Sequence, residues 1–288
     1  MKLINMKIDG EKRLGILTDR GVIDASSSEI PGVPRTMTAA LRRGLQRSLP
    51  LLRAAEEEGA SIVPESAIEY LPAVDDPEKI LCIGVNYRAH IEETTGSFAP
   101  AGLPTVFAKF RNTLAPHGGV VPMNRTSSMH DYESEIAVVI GRRASYVPVE
   151  KALDYVFGYT LANDVSARDL QKATTQWFPG KGCDGFCPLG PCIVTADALR
   201  YDEMHITGYK NGELRQEGRS TDMIHDIPAI VSFLSRCCTL QPGDVILTGT
   251  PSGVILGRPE GQRDWLQPGD VITVREDTIG ELRATMGA

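Results

Sequence analysis

The chain has 288 residues, with 30 basic and 37 acidic side chains and a formal net charge of −7 at pH 7. Hydrophobic residues make up 42% of it, which is enough for a sizeable core. The negative charge argues against nucleic-acid and anionic-membrane partners. No run of 18 apolar residues predicts a membrane span, and the charged N-terminus differs from a secretion signal. We therefore expect a cytoplasmic protein whose six cysteines are reduced.

The N-terminal part of the sequence predicts a small β/α domain. Apolar and polar residues alternate at the start and are interrupted by an Asp-Gly and an Asp-Arg-Gly turn, a pattern typical of an antiparallel meander. Helical periodicity in two pieces follows over residues 36–58. A segment rich in proline and acidic residues, 71–79, predicts a boundary between domains at residues 1–75 and 76–288.

Short strands dominate the remainder of the chain. Apolar runs such as KILCIGV, EIAVVIG and VFGYTLA are bounded by turn residues. Helical patterns are fewer and cover residues 166–175 and 224–238, the first with Ser166 as its expected N-cap. Because strands and helices are segregated, an α+β fold is favoured over a doubly wound parallel sheet.

Two glutamates begin the strand candidate DYESEIAVVIG. Alternate residues of a strand share a face, so Glu133 and Glu135 point the same way from an otherwise apolar segment. Burying two like charges is costly unless a cation or a proton compensates. Carboxylate oxygens without histidine or cysteine select Mg²⁺, Mn²⁺ or Ca²⁺, although charges at a solvent-facing strand end would show the same spacing. Asp164 follows another buried strand candidate, where it could be a third ligand or an ordinary turn residue.

A possible catalytic pair lies in NYRAHIEETTG. His90 and Glu93 are three residues apart, so one helical turn places them on the same face. A carboxylate can orient an imidazole and make it a base that activates water, although an incidental surface pair has the same spacing. The small residues that follow, between positions 96 and 102, would suit a lid over a substrate.

Two glycine-rich segments could bind anions. Lys181 stands between two glycines, where it could neutralise a substrate carboxylate or an oxyanion. Thr250 and the backbone of TGTPSGV could do the same, although solvated loops and tight turns have the same composition.

These segments occur in an order that resembles the fumarylacetoacetate hydrolase family. The resemblance covers residues 79–286 and is carried by five motifs: GVNYRAHIEETTG, DYESEIAVVIG, GYTLANDVSARDLQ, GKGCDGFCPLGP and LQPGDVILTGTPSGV. It implies a mixed β-sandwich or β-roll core, preceded by a small variable N-terminal domain, in a homodimer.

The resemblance also assigns residues to roles. It implies Mg²⁺ or Mn²⁺ bound by Glu133, Glu135 and Asp164. The catalytic residues that it implies are His90, Glu93 and Lys181, and the expected substrate contacts are Lys109, Gln171 and Thr250.

The activity that the resemblance implies is metal-dependent hydrolysis of a C–C bond in a 2,4-dioxo acid, such as an acylpyruvate, a fumarylpyruvate-like acid or a sugar-derived diketo acid. The products would be pyruvate or another 2-oxo acid and a carboxylic acid. An alternative is decarboxylation of oxaloacetate, or isomerisation or decarboxylation of an unsaturated 2-oxo diacid, by the same metal site. A less favoured third possibility is an inactive module that binds 2-oxo acids.

Overall fold

The computed structural model of the chain describes residues 1–97 and 102–288. Within those residues there are six α-helices: α1 Met37–Arg43, α2 Leu45–Glu58, α3 Arg88–Thr95, α4 Arg168–Lys172, α5 Phe178–Lys181 and α6 Ile227–Cys237. The first nine strands are β1 Lys2–Ile8, β2 Glu11–Thr18, β3 Gly21–Asp24, β4 Ile62–Val63, β5 Glu69–Tyr70, β6 Ile80–Gly84, β7 Thr105–Lys109, β8 Leu114–Ala115 and β9 Gly119–Val121. The others are β10 His130–Asp131, β11 Ser134–Ile140, β12 Val156–Asn163, β13 Ser166–Ala167, β14 Cys187–Thr195, β15 His205–Lys210, β16 Glu213–Arg219, β17 Val245–Leu247, β18 Val271–Glu276 and β19 Gly280–Met286.

The predicted N-terminal meander and its two helices are present. Asp9 and Gly10 have positive φ angles of 52° and 80°, which suits the tight turn between β1 and β2. The hydroxyl of Thr36 accepts a hydrogen bond from the N–H of Ala39 at 3.2 Å and caps α1. Gly44 then separates α1 from α2, as the sequence pattern in two pieces indicated.

A large mixed sheet forms the centre of the molecule. Its strand order is β4-β3-β2-β1-β14-β12-β11-β17-β6-β7, with β5 added to β1 and β8 added to β14. β1 pairs with β14 in the register Leu3↔Ile193, so this sheet continues across the predicted domain boundary. The N-terminal strands are therefore joined by backbone hydrogen bonds to the strands that carry the site.

Each face of the large sheet is covered by a different layer. Ile136 and Val138 of β11 belong to a core shared with α6 and with a five-stranded sheet of order β16-β15-β18-β19-β9. Ala137 and Val139 belong to a second core, which includes side chains from α1 and α2. β11 alternates between the two cores as its sequence predicts, and the architecture confirms the α+β class.

The predicted helix at 166–175 differs from the observed one. α4 spans only Arg168–Lys172, because Ser166 is part of β13 and pairs with Asp131 of β10. Asp169 accepts hydrogen bonds from the hydroxyl of Ser127 and the N–H of Ser128. Pairing with a distant strand thus replaced the local cap.

None of the helices in the part of the chain that the structure describes is both long and apolar enough to cross a lipid bilayer.

Candidate active site

Pairing between β11 and β12 brings the three predicted ligand carboxylates together. Ser134 pairs with Asn163, so the residue before β11 lies opposite the residue after β12. The N–H of Asp164 donates to the carbonyl of Glu133 at 2.8 Å, which closes this corner. Glu135 is one pleat further along β11 and points to the same side as Glu133.

The carboxylates of Glu133, Glu135 and Asp164 form one buried cluster. One oxygen of each side chain lies within 4.8 Å of the corresponding oxygens of the other two. Each residue is at most 6% exposed. The side chain of Glu135 is held in place by a hydrogen bond, which its Oε2 accepts from the N–H of Gly249 at 2.6 Å. A Cβ at Gly249 would approach within 3.0 Å of the carbonyl of Ile83, so a glycine is needed at this contact.

The electrostatic surroundings of the two glutamates differ. Burial, together with the negative charges of Asp164 and Glu133, raises the pKa of Glu135 well above its ordinary value. Burial also acts to raise the pKa of Glu133, but the charges of Arg168 and Lys181 outweigh it and hold that pKa below its ordinary value. Without a cation, the cluster therefore disfavours the ionised form of Glu135.

Two buried lysines neutralise the other carboxylates. Lys181 Nζ donates to Glu133 Oε2 at 2.6 Å and to Asp164 Oδ2 at 2.8 Å. Lys109 Nζ lies 2.7 Å from Asp164 Oδ1, while its hydrogen bonds are directed to the carbonyls of Lys181 and Phe186 at 2.6 and 2.8 Å. Lys109 is thus placed beneath the cavity rather than in its wall, and its predicted contact with substrate stays a prediction.

Arg168 was not identified by sequence reasoning, yet it joins the cluster. Its guanidinium is buried and lies 2.7 Å from Glu133 Oε1 and 2.8 Å from Asp131 Oδ2. It also donates to Gln171 Oε1 at 3.0 Å. The available signal was its place in SARDLQ, one helical turn before Gln171 and close behind Asp164. In isolation, such an arginine is typical of an exposed helix surface.

The structure brings the proposed acid–base pair to the edge of the same cavity. His90 and Glu93 are both on α3, and His90 Nδ1 lies 2.9 Å from Glu93 Oε1. The other oxygen of Glu93 accepts a hydrogen bond from the N–H of Gly253 at 2.9 Å. One carboxylate therefore positions the imidazole and also attaches α3 to the segment after β17. Part of the predicted lid, residues 98–101, lies outside the described residues.

Thr250 and Gln171 are buried in the wall of the cavity. The hydroxyl of Thr250 donates to the carbonyl of Ser134 at 3.0 Å and accepts from Gln216 Nε2 at 2.7 Å. This hydroxyl has partners on two strands, so its position is fixed independently of any substrate.

These side chains surround a cavity of about 350 Å³. Its polar floor holds the three carboxylates, and Phe107 and Trp177 form part of an apolar wall with their rings 5.2 Å apart. The ammonium of Lys181 lies 5.2 Å from the centre of the Phe107 ring. The volume and the mixture of a polar floor with apolar walls suit a small anionic molecule.

The donor set fits a hard divalent cation. All three groups supply oxygen, and a bound cation would favour the ionised form of Glu135, which burial and the two neighbouring carboxylates disfavour. This buried triad could hold a metal ion, and oxygen donors alone do not separate Mg²⁺ from Mn²⁺.

The chain resembles known proteins over most of its length. Residues 79–286 match the model of the fumarylacetoacetate (FAA) hydrolase C-terminal domain. Oxaloacetate tautomerase YisK of Bacillus subtilis is 40% identical over 235 residues, which cover 81% of this chain and 77% of that protein.

Solved structures extend the similarity to the fold. A fumarylacetoacetate hydrolase from Exiguobacterium antarcticum is 34% identical, with a TM-score of 0.81, and the match covers 100% of this chain and 99% of that one. A maleylpyruvate hydrolase from Sphingobium sp. SYK-6, in complex with manganese(II) and pyruvate, is 28% identical, with a TM-score of 0.79 and all of both chains covered. The chain belongs to the fumarylacetoacetate hydrolase family.

Proposed function

We propose that this protein is a divalent-metal-dependent enzyme that interconverts the enol and keto forms of oxaloacetate. The observation that carries the proposal is the position of the His90–Glu93 pair beside a buried cluster of three carboxylates in one small cavity. The similarity to an oxaloacetate tautomerase at 40% identity supports this reaction above the other metal-dependent ones. The substrate is the one expected for the alternative of oxaloacetate decarboxylation, but the proposed reaction breaks no C–C bond.

Keto–enol interconversion requires proton transfer between C3 and the oxygen on C2. In the proposed mechanism, His90 holds its Nδ1 proton toward Glu93, which leaves Nε2 to take the proton from C3 and deliver it to the C2 oxygen, and to carry it back in the reverse direction. Lys181 lies at the floor, where its ammonium can stabilise negative charge on the C2 oxygen. A divalent cation bound by Glu133, Glu135 and Asp164 would add Lewis-acid stabilisation of the same charge. Phe107 and Trp177 exclude water from one side of the bound acid.

Hydrolysis of a C–C bond in a 2,4-dioxo acid is the second candidate. It is favoured by the same His90–Glu93 pair, which could take a proton from water instead of from C3. The similarity to a maleylpyruvate hydrolase supports it at a lower identity, 28%. The two reactions differ in whether water must reach the substrate carbonyl.

The experiment compares the two reactions on one preparation. Loss of the ultraviolet absorbance of enol-oxaloacetate would be followed with added Mg²⁺ or Mn²⁺, after chelation, and with His90→Gln. We expect metal-dependent acceleration that His90→Gln abolishes. Rapid cleavage of acylpyruvates without tautomerase activity would favour the hydrolase instead, and metal-independent tautomerisation would contradict the role of the carboxylate cluster.

We further propose that the protein works as a homodimer. Among the described residues, β7 is the last strand at one edge of the large sheet, and next to it Phe110 and Phe178 form an edge-to-face pair although they are 57% and 50% exposed. An unpaired strand edge beside exposed aromatic rings is typical of a surface that a second copy covers. This surface adjoins the cavity through Phe107.

A further inference from the structure

One lysine in the cavity wall has no role in the mechanism above. Lys172 is the last residue of α4, is exposed, and lines the cavity with Gln171 and Thr174. Among residues 1–97 and 102–288, no carboxylate forms an ion pair with its ammonium. The nearest acid in sequence, Asp169, is bound instead to the Ser127 hydroxyl and a backbone N–H.

The geometry of α4 places Lys172 away from the carboxylate cluster. Arg168 begins the helix, is buried, and contacts Glu133 at 2.7 Å. Residues i and i+4 share a helix face, so Lys172 follows Arg168 on the same side, about 6 Å further along the axis. Arg168 at the start of α4 is buried at the cavity floor, whereas Lys172 at its end is exposed.

The charges around Lys172 leave its ammonium available for an anion. Desolvation and the nearby cations Arg168 and Arg263 lower its pKa. Arg168 is already balanced by Glu133 and Asp131, whereas Arg263 donates from its Nε to a backbone carbonyl. With Arg168 balanced, the ammonium of Lys172 gives the outer part of the cavity a positive charge, which attracts a carboxylate.

We propose that Lys172 binds the distal carboxylate of a 2-oxo dicarboxylic acid and thereby selects diacids over 2-oxo monoacids. This rests on the proposed function, since it assumes that the 2-oxo carboxylate end lies at the cluster. In a four-carbon diacid the two carboxyl carbons are separated by three C–C bonds of about 1.5 Å each. The carboxylate oxygens extend this length further, and the side chain of Lys172 reaches toward them. An acid of this size can therefore contact the carboxylate cluster with one end and the ammonium of Lys172 with the other.

The kinetic test compares oxaloacetate with its 4-ethyl ester, which keeps the 2-oxo acid end and lacks the distal charge. Wild type should prefer the diacid in kcat/KM by about 10-fold or more, since a charged partner is lost in the ester. Lys172→Met keeps the length of the side chain and should remove that preference, mainly through KM, while Lys172→Arg should retain it. Lys151→Met, which removes an exposed lysine outside the cavity, is the matched control and should behave as wild type.

A binding experiment tests the role of Lys172 independently of the proposed reaction. Calorimetry in the presence of Mg²⁺ would compare malate with lactate, and oxalate would report on the carboxylate end alone. Lys172→Met should abolish the preference for malate and leave oxalate binding unchanged. If wild type fails to tautomerise oxaloacetate but still prefers malate through Lys172, the proposed reaction is wrong and the diacid site stands. A preference that survives in Lys172→Met, or one that wild type lacks, overturns the role of Lys172.

Discussion

Lys109 shows how a buried charge is held by its partners. Its ammonium is almost completely buried, with Asp164 on one side and two backbone carbonyls on the other. Without the ammonium, Lys181 still balances the charge of Asp164, but Asp164 Oδ1 and the two carbonyls are left without a partner, and each unsatisfied buried group costs about 1–3 kcal/mol. The lysine is therefore a supporting residue for the cluster.

We predict that Lys109→Met lowers the free energy of unfolding by about 3–5 kcal/mol, because Asp164 Oδ1 and two buried carbonyls together lose their hydrogen-bonding partner. Chemical denaturation of the metal-free protein measures this. Lys151→Met serves as the control for loss of one positive charge and should change stability by less than about 0.5 kcal/mol. Equal stability of Lys109→Met and the control would show that the ammonium is not a structural partner.

For Glu135 we predict that a substitution stabilises the metal-free protein, whereas the substitution of Lys109 destabilises it. The ionised form of Glu135 is disfavoured by burial and by two neighbouring carboxylates, so Glu135→Gln should stabilise the metal-free protein by on the order of 1 kcal/mol at neutral pH. The same change should greatly reduce the rise in melting temperature that excess Mg²⁺ or Mn²⁺ gives to wild type. Differential scanning fluorimetry with and without metal measures both effects, and Glu260→Gln is an exposed control. A Glu135→Gln protein that metal stabilises as much as wild type would rule out this ligand.

At the scale of elements, the carboxylate of Glu93 both orients the imidazole of His90 and bonds α3 to Gly253. We predict that Glu93→Ala lowers kcat by about 100-fold, since His90 loses its orienting partner and α3 loses the bond to Gly253. Oxalate binding should change little, because the carboxylate cluster is untouched. Glu92→Ala on the exposed side of α3 is the matched control, and similar kinetics for the two variants would contradict the role of Glu93.

His130, the first residue of β10, makes the stability of the fold depend on pH. The Nε2 of His130 accepts a hydrogen bond from the N–H of Asn124 at 3.1 Å, and desolvation lowers the pKa of this histidine. The folded state then binds the proton less tightly than the unfolded chain. Stability is therefore lost as the pH falls through the ordinary histidine pKa of about 6.5.

We predict that His130→Gln, whose amide oxygen can still accept from Asn124, weakens this loss of stability between about pH 7 and pH 5. Urea denaturation over that range measures the slope for both proteins. Identical slopes would mean that His130 does not contribute.

At the scale of the whole molecule, the exposed aromatic pair beside β7 predicts the oligomeric state. Phe110→Ser combined with Phe178→Ser should convert a dimer into a monomer, because the apolar area that a partner would cover is lost. Analytical ultracentrifugation measures this, and Tyr146→Ser removes an exposed aromatic ring elsewhere as the control. A monomeric wild type, or a dimeric double variant, would contradict the proposed interface.

The sequence alone predicted the features of the fold that depend on local periodicity and on turn residues. Alternation in β11 placed Glu133 and Glu135 on one face, and helical spacing placed His90 beside Glu93, as the structure has them. The meander, the paired N-terminal helices and the α+β class followed from the same rules. These features depend on residues close together in the chain, so their signals can be found in short windows.

Only the tertiary structure decided the features that depend on distant partners. Strand pairing placed Asp164 opposite Glu133, drew Ser166 into β13, and continued the sheet across the predicted domain boundary at residue 75. It also buried Arg168 against two acids and turned Lys109 toward backbone carbonyls. Since the free energy of a buried charge depends on which groups surround it in space, no local pattern could show that these two cations belong to the floor of the site.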